Sequence, residues 1–271
     1  MQRAFSLVEL SIVLVILGLL TGGILSGQSL IRAAQLRAVG TDLNNYVMAI
    51  YQFRDKYFAL PGDMANATQF WGADDGGDGI GNDCRDDTDT GVETCNGNGD
   101  GVLDSWNAYI YEQSRFWQHL SNAGLFPGSY NGRHYGYAVI GENAPLSRLP
   151  NVTAMVSNGP TGIAPDGGAG LNNSVNYYDY FDYGNYMFYG NKPNPTWNPH
   201  GPFATPAEAW NIDTKFDDAK PATGRWLSYK AGGTAGWLAG SQNCATNANY
   251  QLAEYNLSYE SLGCGFIILL R

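Results

Sequence analysis

The chain has 271 residues, of which 15% are charged and 13% aromatic, and its formal net charge is −10. The aromatic content and the 35 glycines exclude a disordered chain and favour a loop-rich β domain. The acidic balance, without any cluster of Lys or Arg, argues against nucleic acid as the main partner, because binding to phosphates needs positive charge.

An apolar run from Phe5 to Leu25 follows the short segment Met1–Ala4 and carries a single charged residue, Glu9. As a helix it is about 31 Å long at ~1.5 Å per residue, which is enough to cross the hydrocarbon core of a membrane. Arg3 lies on the N-terminal side of this run. The positive-inside rule therefore predicts that the rest of the chain lies outside the cytoplasm.

Glu9 needs a partner, because a carboxylate within a membrane helix costs at least ~2.5 kcal/mol. Cleavage between Ala4 and Phe5 would create an α-amine one helical turn away from Glu9. That amine can pair with Glu9 of the same chain at (i, i+4) spacing, or with Glu9 of a neighbouring chain. The second pairing would fix the axial register between packed helices.

Two other interpretations fit an apolar N-terminal segment: a cleaved secretory signal and a simple signal anchor. The apolar region of a secretory signal is shorter and would not carry a carboxylate near its start, and a signal anchor gives Glu9 no purpose. The first interpretation leads to an alternative function, a secreted calcium-dependent carbohydrate-binding protein or hydrolase. It requires cleavage after Leu25 instead of before Phe5.

The segment Phe5-Ser-Leu-Val-Glu9-Leu, preceded by a short basic leader, resembles the signal of type IV pilins and type II secretion pseudopilins. The resemblance implies that a prepilin peptidase cleaves before Phe5 and methylates its amine, with Ala4 where the family usually has Gly. It implies an inner-membrane precursor with a periplasmic body, and assembly with identical or related subunits into a helical polymer. Glu9 would then set the register, and the chain would be a structural filament subunit and not an enzyme.

The helical pattern continues to Tyr57, with an apolar stripe at three- and four-residue steps. That stripe consists of Leu36, Val39, Leu43, Val47, Ile50, Phe53 and Tyr57. Glycines at positions 18, 22 and 23 make the first half of the helix the part that unwinds most easily. The predicted organisation is a leader at 1–4, a transmembrane or filament-core helix at 5–27, its amphipathic half at 28–57, and a globular head at 58–271 with an acidic loop at 73–104.

The predicted fold class is α+β and pilin-like: a long N-terminal helix with a protruding hydrophobic half, packed on an antiparallel β-sheet domain with long loops. Further helices are predicted at Ser114–Gly124 and Pro206–Phe216. The predicted strands are Tyr135–Ile140, Tyr186–Tyr189, Trp226–Lys230 and Gly265–Leu270. Three blocks of the head look similar to one bacterial branch of the same prepilin-type proteins: Phe58–Gly72, Phe116–Leu125 and Ile212–Gly224.

Two stretches of the acidic loop place acids and amides on alternate residues with glycine between them, which is a pattern typical of calcium sites. The second stretch matches the first half of an EF-hand loop, with Asn107 in place of the terminal Glu. The predicted Ca²⁺ ligands are Asp74, Asp78, Asp83, Asn96, Asn98, Asp100 and Asp104. A solvated Asn/Gly/Asp loop is the alternative. A smaller acidic cluster, Asp213, Asp217 and Asp218, is assigned to caps and turns.

The four cysteines form two pairs that are local in sequence, Cys84 with Cys95 and Cys244 with Cys264. In an exported chain this predicts two disulfides, and four buried free thiols are the alternative. The aromatic run Tyr177–Tyr189 is either a binding surface or a pair of strands, and the strand interpretation is favoured for its end. No metal-ligand spacing of histidines and no GxSxG or P-loop pattern indicates an enzyme.

Overall fold

The computed structural model describes residues 7–74, 91–104, 112–133, 135, 137–158, 184–192, 199, 201–228, 243–246 and 252–270. In that part of the chain the helices are α1 (Leu7–Tyr57), α2 (Thr68–Trp71), α3 (Glu112–Asn122) and α4 (Pro206–Phe216). The strands are β1 (Val152–Asn158), β2 (Asn185–Asn191), β3 (Trp226–Ser228) and β4 (Phe266–Leu269). A long first helix and an antiparallel sheet confirm the predicted α+β, pilin-like architecture.

Helix α1 is one continuous element of 51 residues, about 75 Å long at ~1.5 Å per residue. It runs unbroken through the three glycines of its apolar half. The helix ends at Tyr57 because Phe58 adopts a left-handed conformation, with φ of 54°. The Phe58 N–H donates to the carbonyl of Arg54 at 2.8 Å, which satisfies one of the last helical acceptors.

The four described strands form one antiparallel sheet in the order β1-β2-β4-β3, so the C-terminal strand lies in its interior. One face packs with the second half of α1 in the main core, through residues such as Met187, Phe266 and Ile268. The opposite face is also buried and consists of Tyr186, Phe188, Leu227, Ile267 and Leu269. Because both faces are buried, the strands are apolar runs without clean alternation, and their boundaries are weakly marked in the sequence.

The strand predicted at Tyr135–Ile140 is wrong for the described part of that segment. The side chain of Asn143 binds backbone groups of this segment that would otherwise pair with a neighbouring strand. Its Oδ1 accepts from Val139 N at 2.7 Å, and its Nδ2 donates to the carbonyls of Arg133 and Tyr137. Side chains of this kind compete with regular secondary structure for backbone groups.

The other predicted elements are found with small shifts. Helix α4 has the predicted bounds, α3 begins two residues earlier than predicted, and β2 and β4 match the predicted strands. The described part of the third strand is Trp226–Ser228, and residues 229–230 lie outside the described residues. The edge strand β1 was not predicted, although Val152, Thr153 and Val156 are β-branched.

Helix α1 joins the head at close range. Gly40 packs directly under Phe216 at the end of α4, since a Cβ at Gly40 would lie 2.0 Å from the Phe216 ring. Phe216 in turn stacks on Trp226 of β3, with ring centroids 5.3 Å apart. The second half of α1, α4 and the sheet therefore form one packed unit.

Candidate functional site

The first half of α1 is exposed along its whole length. Its large apolar side chains, from Leu7 to Ile31, are each at least half exposed. Among the described residues α1 is the one helix long and apolar enough to cross a membrane, by length and composition. So large an apolar surface needs lipid or other apolar helices around it.

A charged clamp marks the point where this exposed half meets the head. The Arg32 guanidinium donates from Nε to Glu208 Oε1 at 2.8 Å and from Nη2 to Glu208 Oε2 at 2.7 Å. It also donates to the carbonyl of Phe203 at 2.7 Å. Glu208 belongs to a capping box with Thr205 at the start of α4. The bidentate pair thus fixes the direction in which the helix leaves the head.

Two buried carboxylates hold the backbone of the 96–104 loop. Asp63 accepts hydrogen bonds from the N–H groups of residues 99, 100 and 101 at 2.7–3.1 Å. Glu112 at the start of α3 accepts from Asn98 N at 2.8 Å and from Asp104 N at 2.9 Å. The loop passes so close to Asp63 that a Cβ at Gly97 would lie 2.4 Å from its backbone. Burial raises the pKa of Glu112 to about 8, and the two N–H donors act against this rise.

Three of the predicted calcium ligands converge on this loop. Asn98 Nδ2 lies 3.0 Å from Asp100 Oδ2 and 3.4 Å from Asp104 Oδ2. Asn98 Oδ1 accepts from Asp100 N, and Asp100 Oδ1 accepts from Val102 N, so the loop contains two successive Asx turns. An amide of Asn98 thus lies between two carboxylates at the protein surface.

Two of the other predicted ligands, Asp74 and Asn96, have side-chain oxygens bound to other parts of the head. Asp74 is buried in an ion pair with Arg115, with Oδ2 to Nη2 at 3.3 Å. The Asn96 side-chain oxygen accepts from Thr68 N at the start of α2, at 2.9 Å. Asp78 and Asp83 lie outside the described residues. One side-chain oxygen of Asp74 and one of Asn96 are therefore already bound to other residues of the chain.

His119 of α3 ties the loop region to the turn after α1. It is fully buried, its Nδ1 accepts from Gly62 N at 2.9 Å, and its Nε2 lies 3.0 Å from Thr94 Oγ1. Because the Thr94 hydroxyl donates to Gln118 Oε1 at 2.7 Å, Nε2–H is the donor to Thr94. Burial lowers the pKa of His119 to about 3, and the nearby Arg115 lowers it further.

The small acidic cluster forms the turn after α4, as predicted. The Asp217 N–H caps the helix by donating to the carbonyl of Asp213 at 2.7 Å. Burial raises the pKa of Asp213 to about 7, although the Tyr255 hydroxyl donates to its Oδ2 at 2.8 Å. Asp218 Oδ1 accepts from Lys220 N.

One of the two predicted disulfides is confirmed, between Cys244 and Cys264, whose Cα atoms are 4.9 Å apart. Cys95 is also disulfide-bonded, and its predicted partner Cys84 lies outside the described residues. The Cys244–Cys264 bond pins the segment before β4 to the 243–246 turn.

Comparison with known proteins identifies the N-terminus. The family model for the prokaryotic N-terminal methylation motif matches residues 1–25. The chain carries a prepilin-type signal. No curated protein matches the chain, and no solved structure matches it either. The motif covers residues 7–25 of α1, including Glu9, and supports a type IV pilin-like or pseudopilin subunit.

The prepilin-type signal has consequences for the other predictions. Such a signal is typical of structural proteins and not of enzymes, and together with the apolar helix it supports membrane insertion of the precursor. It does not favour the alternative of a secreted calcium-dependent carbohydrate-binding protein or hydrolase. The cleavage position between Ala4 and Phe5 lies outside the described residues.

Several residues that shape the site were not predicted from the sequence. Asp63 and Glu112 hold the loop, and Arg32 with Glu208 holds the helix. The Thr205-Pro-Ala-Glu208 pattern is a recognisable capping box. No local signal marks Asp63 or Glu112, because their partners are backbone N–H groups distant in the sequence or across a loop.

Proposed function

We propose that this chain is a filament subunit, processed before Phe5 and polymerised through α1. The observation that carries the proposal is the methylation motif on a helix whose apolar half is exposed throughout. A prepilin peptidase would remove residues 1–4 and methylate the new amine. The inner membrane would hold the exposed half before assembly, and the same half of neighbouring subunits would cover it afterwards.

The contact that sets the register in this proposal is an ion pair between Glu9 and the Phe5 amine of the adjacent subunit. In an apolar filament core an unpaired carboxylate is costly, so only the stagger that pairs the two groups is favoured. The Arg32–Glu208 clamp and the contact between Gly40 and Phe216 would hold the head at a fixed angle to the shaft.

Replacement of Glu9 tests the pairing. Glu9→Gln keeps the shape of the side chain but removes its charge, so membrane insertion is expected to be unchanged while incorporation into filaments falls sharply. Immunoblots of membrane and sheared-filament fractions, from cells that express the full chain, measure both. Asp55→Asn is the matched control, because Asp55 is an exposed acid on the same helix outside the apolar half. Filament yield of Glu9→Gln equal to that of the control would refute the pairing.

We also propose that the 96–104 loop binds Ca²⁺ in the exported head. The support is the convergence of Asn98, Asp100 and Asp104, with an amide nitrogen lying between two carboxylates. A cation between the Asp100 and Asp104 carboxylates would displace the Asn98 amide nitrogen from that position, and carboxylate oxygens are the ligand type that Ca²⁺ prefers. Asp63 and Glu112 already hold the backbone in place, so little further ordering would oppose binding.

Melting of the full chain in detergent, in Ca²⁺ and in chelator, tests this proposal. At a Ca²⁺ concentration 100 times the Kd, binding adds about 2.7 kcal/mol to the free energy of unfolding, so the melting temperature rises. The pair of changes Asp100→Asn and Asp104→Asn is expected to remove the part of the rise that comes from this loop, and Asp55→Asn to leave it unchanged. If the Asp100→Asn, Asp104→Asn double variant keeps the whole Ca²⁺-dependent rise in melting temperature, the loop does not bind calcium.

A further inference from the structure

Three carboxylates meet at the C-terminal end of α4. Asp213 lies in the last turn, Asp217 is the C-cap residue, and Asp218 comes next. One carboxylate oxygen from each lies within 4.8 Å of the other two. Exposure increases along the group, from buried Asp213 through half-buried Asp217 to exposed Asp218. The arrangement is a shallow acidic cup with a buried base.

The base of this cup has an unsatisfied oxygen. Asp213 is 0% exposed, and its Oδ2 accepts from the Tyr255 hydroxyl at 2.8 Å. Its Oδ1 is buried without a hydrogen-bond partner. The Ala219 backbone N–H acts on the same carboxyl and lowers its pKa. A buried carboxylate oxygen that lacks a donor costs free energy, which a bound cation or a water would recover.

The other two carboxylates are held in place by donors from the following loop. Asp217 Oδ2 accepts from the N–H groups of Arg225 and Trp226 at 2.5 and 2.7 Å. Asp218 accepts from the Thr223 hydroxyl at 2.6 Å. A Cβ at Gly224 would lie 2.2 Å from Asp217 Oδ2, so glycine leaves the space that the carboxylate occupies. The acids are therefore positioned before any ligand arrives.

Within the described part of the chain, no salt bridge neutralises these three acids. The nearby Lys220 ammonium pairs with Glu254 instead, at 2.5 Å. The Arg225 guanidinium is directed to the Tyr51 hydroxyl and to the carbonyl of Leu269. Three carboxylates within 4.8 Å of one another repel, and a cation bound between them would remove that repulsion.

We propose that Asp213, Asp217 and Asp218 bind a divalent cation, at a site separate from the 96–104 loop. Their all-oxygen donor set is that of a hard cation such as Ca²⁺, and three acids at a partly exposed position leave room for water ligands. The ion would link the end of α4 to β3 through Asp217 and to the segment of Tyr255 through Asp213. It would therefore stabilise the part of the head that packs on α1.

The test uses the full chain in detergent, with the Asp100→Asn, Asp104→Asn double variant as parent so that the loop contributes nothing. Millimolar Ca²⁺ or Mg²⁺ is titrated while the melting temperature is followed, and Tb³⁺ luminescence excited through tryptophan reports binding directly. The parent is expected to keep a Ca²⁺-dependent rise and a Tb³⁺ signal. Loss of both in the parent would overturn the proposal.

Asp213→Asn then identifies the ligand set. Asp213→Asn is expected to abolish the remaining response. In chelator it is expected to melt no lower than the parent, because it replaces a buried carboxyl whose Oδ1 lacks a hydrogen-bond partner. Asp218→Asn, at an exposed side chain that does not threaten folding, is expected to weaken Ca²⁺ binding by roughly tenfold or more. Asp55→Asn controls for the change in net charge. A parent-like Ca²⁺ affinity in Asp218→Asn or a retained response in folded Asp213→Asn would refute the site.

Discussion

At the scale of single residues, His119 acts as a neutral, two-sided hydrogen-bond partner in the core. Its two ring nitrogens join the turn at Gly62 to Thr94, and both bonds need the imidazole with one proton. Protonation would turn the acceptor Nδ1 into a donor that faces the Gly62 N–H. The fold therefore excludes the charged form, which agrees with the pKa of about 3.

This exclusion makes the stability of the head depend on pH. The unfolded His119 binds a proton below its ordinary pKa of 6.5, whereas the folded one stays neutral down to about 3. Its contribution is therefore complete above pH 6.5 and falls as the pH drops toward 3, by up to about 1.4 kcal/mol per pH unit. Urea unfolding of the full chain in detergent, between pH 7 and pH 5, measures this slope.

His119→Asn is the comparison for that experiment. Its amide oxygen can replace Nδ1 as the acceptor, but it does not titrate in this range, so a flatter pH dependence and a lower stability are expected. A slope as steep in His119→Asn as in the native chain would show that other groups are responsible.

Residues whose partners are close in sequence were predictable, and residues whose partners are distant in sequence were not. Phe5 and Glu9 could be predicted as an assembly pair because their chemistry is local, at (i, i+4) spacing in an apolar run, and their pairing stays a prediction. Asp63 was missed because its partners, the N–H groups of residues 99–101, come together with it only in the folded chain. Asp74 was predicted as a metal ligand from spacing alone, and its ion pair with Arg115 bridges 41 positions of sequence.

At the scale of elements, the contact between α1 and α4 depends on the absence of a side chain at Gly40. An added methyl group would meet the Phe216 ring at 2.0 Å. The ring cannot move away freely, because it stacks on Trp226, which is buried. The close approach of the two helices is therefore a steric requirement on this position.

Gly40→Ala is accordingly expected to destabilise the head by about 1–3 kcal/mol. Gly27→Ala in the same helix is the control, because nothing lies within 4 Å of its added Cβ and alanine favours a helix. The melting temperature of the head, followed by the near-ultraviolet circular dichroism of its aromatic residues, should fall for the first variant only. Equal melting of the two variants would contradict the packing described.

Elements were predictable where one physical signal dominated. The period of apolar residues sets α1, and the capping box with Pro206 sets the start of α4. For the described residues of Tyr135–Ile140 the strand prediction was wrong, because the pattern gave no weight to Asn143, whose amide binds the local backbone. Strand β1 was missed because burial on the sheet, and not its own alternation, decides its conformation.

At the scale of the whole molecule, the chain has two parts with opposite solvent requirements. The head buries its apolar residues around the second half of α1, while the first half exposes them all. The head can therefore be surrounded by water, whereas the first half of α1 needs lipid or other apolar helices around it. In the proposed function, the membrane surrounds this half in the precursor, and the helices of neighbouring subunits surround it in the filament.

The proposed assembly through α1 depends on where the mature chain begins. Mass spectrometry and N-terminal sequencing of the chain, purified from its own host cells, identify the first residue and its modification. A processed filament subunit should begin at Phe5 with a methylated amine. A mature chain that begins beyond Leu25, or one that keeps residues 1–4, would contradict the proposed assembly.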